Sequence, residues 1–168
     1  TLLASSAASD VYKRQFLLRD DIETIHAATD LLAEAKLSPE LRNEALYYRA
    51  KAYTKQKADK KAMEDYRELA KDTRNSYGAE AKYQVAQSLY DAKEYAAAEK
   101  ELLNYIEQST PHAYWLARSF ILLSDVYHAT GKDLDARQYL LSLQQNYQGN
   151  DDIESMIESR LSKLKVEN

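Results

Sequence analysis

Small residues suited to close helix crossings recur in one register along this chain. Ala50, Ala86 and Ser124 are separated by 36 and then 38 residues, and Ala62, Ala98 and Ala136 keep the same intervals. The large residues Tyr53, Leu89 and Tyr127 follow the first set in step, and Tyr66, Leu102 and Leu140 follow the second. A period of this length belongs to a helical hairpin that cannot bury its apolar face alone and must stack on its neighbours. Ala45 to Leu69 reads as one such hairpin, two amphipathic helices turning near Lys57-Ala58. The matching turns fall at Lys93-Glu94 and Gly131-Lys132.

Over Asn43 to Gln148 this pattern resembles the tetratricopeptide repeat (TPR) family, which sets Trp, Leu-Gly and Tyr on the first helix and Ala, then Phe, on the second. The family's Trp position holds Leu46, Lys82 and Phe120, and its Gly position never holds Gly. Its closing Pro is replaced by Arg74 and Gln148, while Thr110 stands there in the second repeat with Pro111 one residue late. The resemblance implies an all-α fold, a right-handed superhelical α-solenoid of TPR-like hairpins with a C-terminal capping helix.

Composition agrees with an all-helical chain. Only 3 Gly and 2 Pro occur in 168 residues, long enough for one domain with a core. A net charge of −4 gives no support to general nucleic-acid binding. With no Cys, disulfides, thiolate catalysis and Cys-type zinc sites are excluded. No apolar run approaches the roughly 18 residues of a membrane span.

Taken in order, residues 1–15 differ from the rest. They are similar to the translation of a sequencing adapter and are expected to be a non-native or disordered leader outside the fold, which would make the chain a C-terminal fragment. Residues 16–36 carry one apolar stripe (Ile22, Ile25, Ala28, Leu31, Leu32, Ala35) and read as the remnant second helix of a preceding repeat. Repeat 1 covers 37–76, opened by Ser38 as N-cap and Pro39 in the first turn, with Asn75 to Gly78 as a loop. Repeat 2 covers 77–110, and repeat 3 covers 111–148 after a second cap-and-proline start at Ser109-Thr110-Pro111. Residues 149–168 form a capping helix, with Ile153, Met156, Ile157, Leu161 and Leu164 on one stripe.

Chemistry-bearing patterns are sparse. Glu23-x-x-His26 and Asp125-x-x-His128 each set a carboxylate and an imidazole one turn apart, a spacing found in carboxylate-bridged metal bundles, but a solenoid holds them far from one another. There is no Gly-rich phosphate loop and no nucleophile elbow, so the chain reads as a non-enzyme without cofactor or metal. The basic run Arg49, Lys51, Lys55, Lys57, Lys60 and Lys61 suits an acidic partner, but reads more simply as a solvated helix face and turn.

In the TPR family the concave groove is lined by outward positions of each first helix. The resemblance therefore implies a groove of Tyr47, Lys51, Thr54 and Lys55, then Tyr83, Gln87, Tyr90 and Asp91, then Ile121, Asp125 and His128. Tyrosines there offer stiff contact area with a polar tip, suited to a peptide or protein. Of the 14 Tyr, Tyr53, Tyr66 and Tyr127 are expected in the core. The Lys/Asn clamp that some members use for a C-terminal carboxylate is not present at the groove positions. The segments 76–106 and 113–136 are similar in repeat style to envelope members of the family, the outer-membrane assembly lipoproteins and Tol-Pal-associated periplasmic proteins of Gram-negative bacteria, which favours periplasm over cytoplasm. The expectation is a protein-interaction scaffold. The alternatives are a purely structural solenoid that packs on upstream repeats or self-associates through its ends, and a carboxylate/His metal-binding helical protein.

Overall fold

The recurrence of small residues is realised as helix crossings. The computed structural model of the protein describes residues 2–17, 20–108 and 110–164, and every regular element among them is an α-helix. These are α1 (Leu2–Leu17), α2 (Asp21–Leu32), α3 (Pro39–Lys55), α4 (Asp59–Leu69), α5 (Ser76–Asp91), α6 (Tyr95–Glu107), α7 (Ala113–Ala129), α8 (Asp133–Asn146) and α9 (Ile153–Leu161). They fall into two compact units, Thr1–Asp72 and Thr73–Asn168.

In the first unit α1 pairs with α2 and α3 with α4, while α3 also packs on both α1 and α2. Ser38 caps α3, its extended backbone letting Oγ accept from the Leu41 amide at 3.3 Å with Pro39 just inside the helix. Ala28, Leu31 and Ala45 form one buried cluster, and Ala50 and Ala62 are fully buried in the α3–α4 hairpin. That hairpin is also clamped by charge. Arg49 on α3 grips Asp65 on α4 through two bonds of 2.8 and 2.7 Å, with the carboxylate almost wholly buried. The Asp65 carboxylate outweighs the desolvation of Arg49 and holds its guanidinium above the ordinary arginine range.

Two expectations differ here. The segment set aside as lying outside the fold is helical, and α1 occupies the place of a first helix beside α2. Nor is 16–36 one continuous helix. Phe16 belongs to α1, and α2 starts afresh at Asp21 because Asp20 caps it, accepting from the Glu23 amide at 3.1 Å. Leu18 and Arg19 lie outside the described residues.

The second unit holds the hairpins α5–α6 and α7–α8, with α9 against both α7 and α8. At the crossing of α7 and α8 the small residue is Ser124, whose hydroxyl donates to the Ala136 carbonyl at 3.1 Å. A buried hydroxyl is tolerable there because it has that partner. Ala86, Ala98, Ala136 and Leu140 are fully buried, and Leu102 is nearly so. At the family's Trp position in α5, Lys82 replaces aromatic packing with an ion pair to Glu101 on α6 at 2.7 Å.

The segment expected as a loop at Asn75 to Gly78 is instead the start of α5. Asn75 is its N-cap, accepting from the Gly78 amide at 2.9 Å. The start expected at Pro111 moves to Ala113, after His112, and Ser109 lies outside the described residues. The expected stripe of α9 places Ile153, Ile157 and Leu164 in the core, with Met156 and Leu161 packed on it; residues 165–168 lie outside the description.

The turns of the α3–α4, α5–α6 and α7–α8 hairpins close in the same way. Lys57, Lys93 and Gly131 take positive φ values of 57°, 61° and 77°. The amide after each reaches back to Tyr53, Leu89 or Tyr127 at 2.9, 2.9 and 2.8 Å, and the amide of each bonds Thr54, Tyr90 or His128 at 3.0, 2.8 and 3.1 Å. This paired pattern is the Schellman motif, which satisfies the last carbonyls of the first helix. Of the three tyrosines expected in the core, Tyr66 and Tyr127 are buried, and Tyr53 is half-buried with Arg49 and Lys61 each 5.8 Å from its ring centre.

Candidate functional site

The face of α5 that points along the repeats carries side chains four residues apart, which stack one above another on a helix. Tyr83, Gln87 and Asp91 form a hydrogen-bonded ladder there. The Tyr83 hydroxyl donates to Gln87 Oε1 at 2.9 Å, and Gln87 Nε2 donates to Asp91 Oδ1 at 2.9 Å. At its upper end the ladder meets α7, where Arg118 Nη2 donates to the Tyr83 hydroxyl at 2.9 Å. Arg118 Nη1 donates to Tyr114 at 2.9 Å, and that hydroxyl donates to Asp152, the residue before α9, at 3.1 Å.

The Arg118 head is thus held between two phenols. It lies 4.8 Å from the ring centre of Tyr83 and 5.9 Å from that of Trp115, so the aromatic faces also contribute cation–π attraction. Burial works against its charge, yet the Tyr114 and Tyr83 oxygens outweigh burial and hold the guanidinium above its ordinary range. Burial pushes the Tyr83 phenol up, and the neighbouring Arg118 opposes that shift without cancelling it. Arg118 Nε is buried with no partner.

Further along the same face lies a cleft of about 400 Å³. Gln87 and Tyr90 line it from α5, Ser124, Asp125 and His128 from α7, and Arg160, Lys163 and Leu164 from α9 and the turn beyond it. Arg160 meets Asp125 at 3.3 Å through both Nε and Nη2, longer than the roughly 2.7–2.9 Å of a tight charge-assisted bond. His128 Nδ1 is 2.8 Å from Asp133 Oδ1. Burial and then Asp125 raise the Tyr90 phenol above its usual value.

The expected groove residues therefore divide. Gln87, Tyr90, Asp125 and His128 share one cleft, and Asp91 ends the ladder beside them. Tyr83 contributes its hydroxyl while its ring is buried, at 7% exposure. Ile121 is a correction. Only 1% exposed, it belongs to the core, because α7 is the central helix of its unit and α5, α6, α8 and α9 all pack on it. In the first unit, Tyr47, Lys51, Thr54 and Lys55 share α3. Lys51 lies 5.2 Å above the Tyr47 ring, and Lys55 lies 4.2 Å above Phe16 of α1. The Thr54 hydroxyl is spent on the Ala50 carbonyl at 2.9 Å. The basic run loses its first member as surface charge, since Arg49 belongs to the Asp65 clamp.

Asp125 and His128, the acid–imidazole pair of the third repeat, turn to Arg160 and Asp133 respectively. Among the described residues no three His, Asp or Glu side chains gather as a metal set. None of their helices is long and apolar enough to cross a membrane.

No protein-family model matches the sequence, and no curated protein matches it either. Among solved structures, the crystal structure of MamA protein, a TPR-containing protein, is similar, with a TM-score of 0.66 at 20% identity over 96% of this chain and 83% of that one. The fold is a TPR-like helical solenoid. In TPR terms the ladder and the cleft both lie on first helices, α5 and α7, with α9 following them in the same role.

Sequence reasoning missed Arg118, Tyr114, Asp152 and Arg160. A signal for two of them was present. Tyr83 and Arg118 are 35 residues apart, as are Asp125 and Arg160, which is one repeat less the small step between facing positions. Looking about one helical turn before the periodic counterpart of Tyr83, which is Ile121, reaches Arg118.

Proposed function

We propose that this chain is a non-enzymatic interaction scaffold that holds a peptide, or an extended segment of a protein, along the first-helix face of its second unit. The observation that carries this reading is the shared cleft. Four residues expected to line a groove, Gln87, Tyr90, Asp125 and His128, meet there with Arg160 and Lys163. A cleft walled by a tyrosine ring, an amide and charges of both signs can hydrogen-bond a peptide backbone while an aromatic face covers its side chains. The TPR-like fold supports a protein partner over a small substrate. The repeat style shared with envelope members makes periplasmic proteins the first source of candidate segments.

The test is selection of random displayed peptides against the full 168-residue chain, followed by titration of a selected peptide against a Tyr90→Ala/His128→Ala variant. The expected result is binding at least about tenfold weaker with helicity unchanged, the loss of roughly one good contact. Equal affinity for the folded variant would move the site away from this cleft. Tyr83→Ala is the wrong probe, because its buried ring makes loss of binding and loss of folding indistinguishable.

A further inference from the structure

The charges that line the cleft do not balance. Two cations, Arg160 and Lys163, stand there against one carboxylate, Asp125. Arg160 spends Nε and Nη2 on Asp125, and its Nη1 has no acceptor among the described residues. His128 is turned to Asp133, at 2.8 Å. Lys163 is exposed and pairs with no carboxylate among the described residues. Asp91, at the end of the ladder, accepts from the Gln87 amide and is not part of the lining. The Lys163 amide bonds the Arg160 carbonyl at 3.0 Å, so the turn that ends α9 brings both cations to the same wall.

We infer, building on the peptide-binding reading above, that the bound segment carries an acidic side chain, aspartate or glutamate, where it passes the α9 wall, and that Lys163 receives it. Lys163 supplies the direct contact, and the open Nη1 of Arg160, one turn back, supplies a second donor. A basic side chain would meet two cations, and Asp125, the carboxylate of the lining, is already taken by Arg160. A phosphate fits poorly too. With His128 balanced by Asp133, the lining has an excess of one positive charge. A phosphate carries about −1.5 to −2 at neutral pH and would leave surplus negative charge beside Asp125. A chain-terminal carboxylate is held well by a nest of free backbone amides. The walls of this cleft are instead the flanks of α5 and α7 and the end of α9, and amides within a helix bond its own carbonyls. A side-chain carboxylate of single charge needs what this cleft offers, an ammonium on a flexible stem with a guanidinium edge beside it.

The experiment is a selection of displayed random nonapeptides against the full chain, after which the enriched peptides are made with amidated C-termini. The expected result is enrichment of aspartate or glutamate at one position, with binding kept on amidation. Exchanging that acid for its amide should weaken binding about fivefold, the upper worth of an exposed ion pair, and so should Lys163→Gln. The two changes together should cost no more than either alone, because both remove the same contact. Lys163→Glu should move a fresh selection from acidic to basic residues at that position. Lys163 is exposed and lies beyond the last residue of α9, so both variants should keep the parent's circular dichroism. Enriched peptides without an acid, losses that multiply, binding lost on amidation, or tighter binding of phosphoserine at that position would each overturn the acidic rule and leave peptide binding standing. No enrichment at all would overturn the peptide-binding reading, and the acidic rule with it.

Discussion

Ile121 and Tyr90 both lie on first helices at positions that the TPR resemblance assigns to the groove, yet Ile121 is enclosed by four neighbouring helices and Tyr90 is half open. Ile121→Ala should therefore cost about 2–5 kcal/mol of stability through lost burial and a residual cavity. Denaturant titration followed by circular dichroism checks this, and a change under 1 kcal/mol would return the residue to the surface. The Arg49–Asp65 clamp makes a second demand. Asp65→Ala leaves a guanidinium confined against α4 without its acid, which should cost about 3 kcal/mol. The double change Arg49→Met/Asp65→Ala should recover part of that loss, because both charges then leave together. If the single and double variants are equally unstable, the clamp acts through packing instead.

Turns bring the same reasoning to the element. A left-handed residue costs roughly 1–2 kcal/mol unless it is glycine. Two of the three turns place Lys there, and only Gly131 meets the demand without a β-carbon. Nothing lies within 4 Å of a β-carbon built on Gly131, so Gly131→Ala should lose about 1 kcal/mol from backbone strain alone. Lys93→Gly should gain about 0.5–1 kcal/mol, the relief of strain less the added freedom of the unfolded chain. Melting temperatures moving in the opposite directions would rule out this account of the turns. The hairpins were legible because small residues at crossings and turns at a fixed interval are local and periodic. Helix starts were less so. Asn75 caps α5 as Ser38 caps α3, but without a proline behind it the segment Asn75 to Gly78 reads as a loop. The site was half legible. Gln87, Tyr90, Asp125 and His128 were implied by the resemblance to the TPR family, whereas Ile121 depended on what covers α7 and Arg160 on how α9 sits beside α5 and α7.

Across the second unit as a whole, buried phenols tie stability to pH on the alkaline side. Burial raises Tyr83, Tyr90, Tyr105, Tyr127 and Tyr147 above the ordinary phenol value of about 10. Tyr147, also held by Asp151, is pushed up to about 12. The unfolded chain releases these protons first, so the native state binds more of them above pH 10. Stability is full below about pH 10 and should fall as pH rises toward about 12. Denaturation midpoints at pH 8, 10 and 11, with tyrosinate absorbance followed in parallel, measure the fall, and Tyr127→Phe should shrink it. A flat profile would mean that these phenols ionise freely in the fold. The links between successive first helices carry a consequence of another kind. Glu44 and Arg118 hold the same place in their repeats, and each reaches back one repeat: Glu44 to Ser9 and Lys13, Arg118 to Tyr83. The frame is common to both, but the sign of the charge is reversed. A gene rearrangement that exchanged these two hairpins would keep every helix and turn while setting Arg118 against Lys13. Exchanging these two hairpins would thus replace an attraction by a repulsion at the joint between first helices without disturbing either hairpin's own packing.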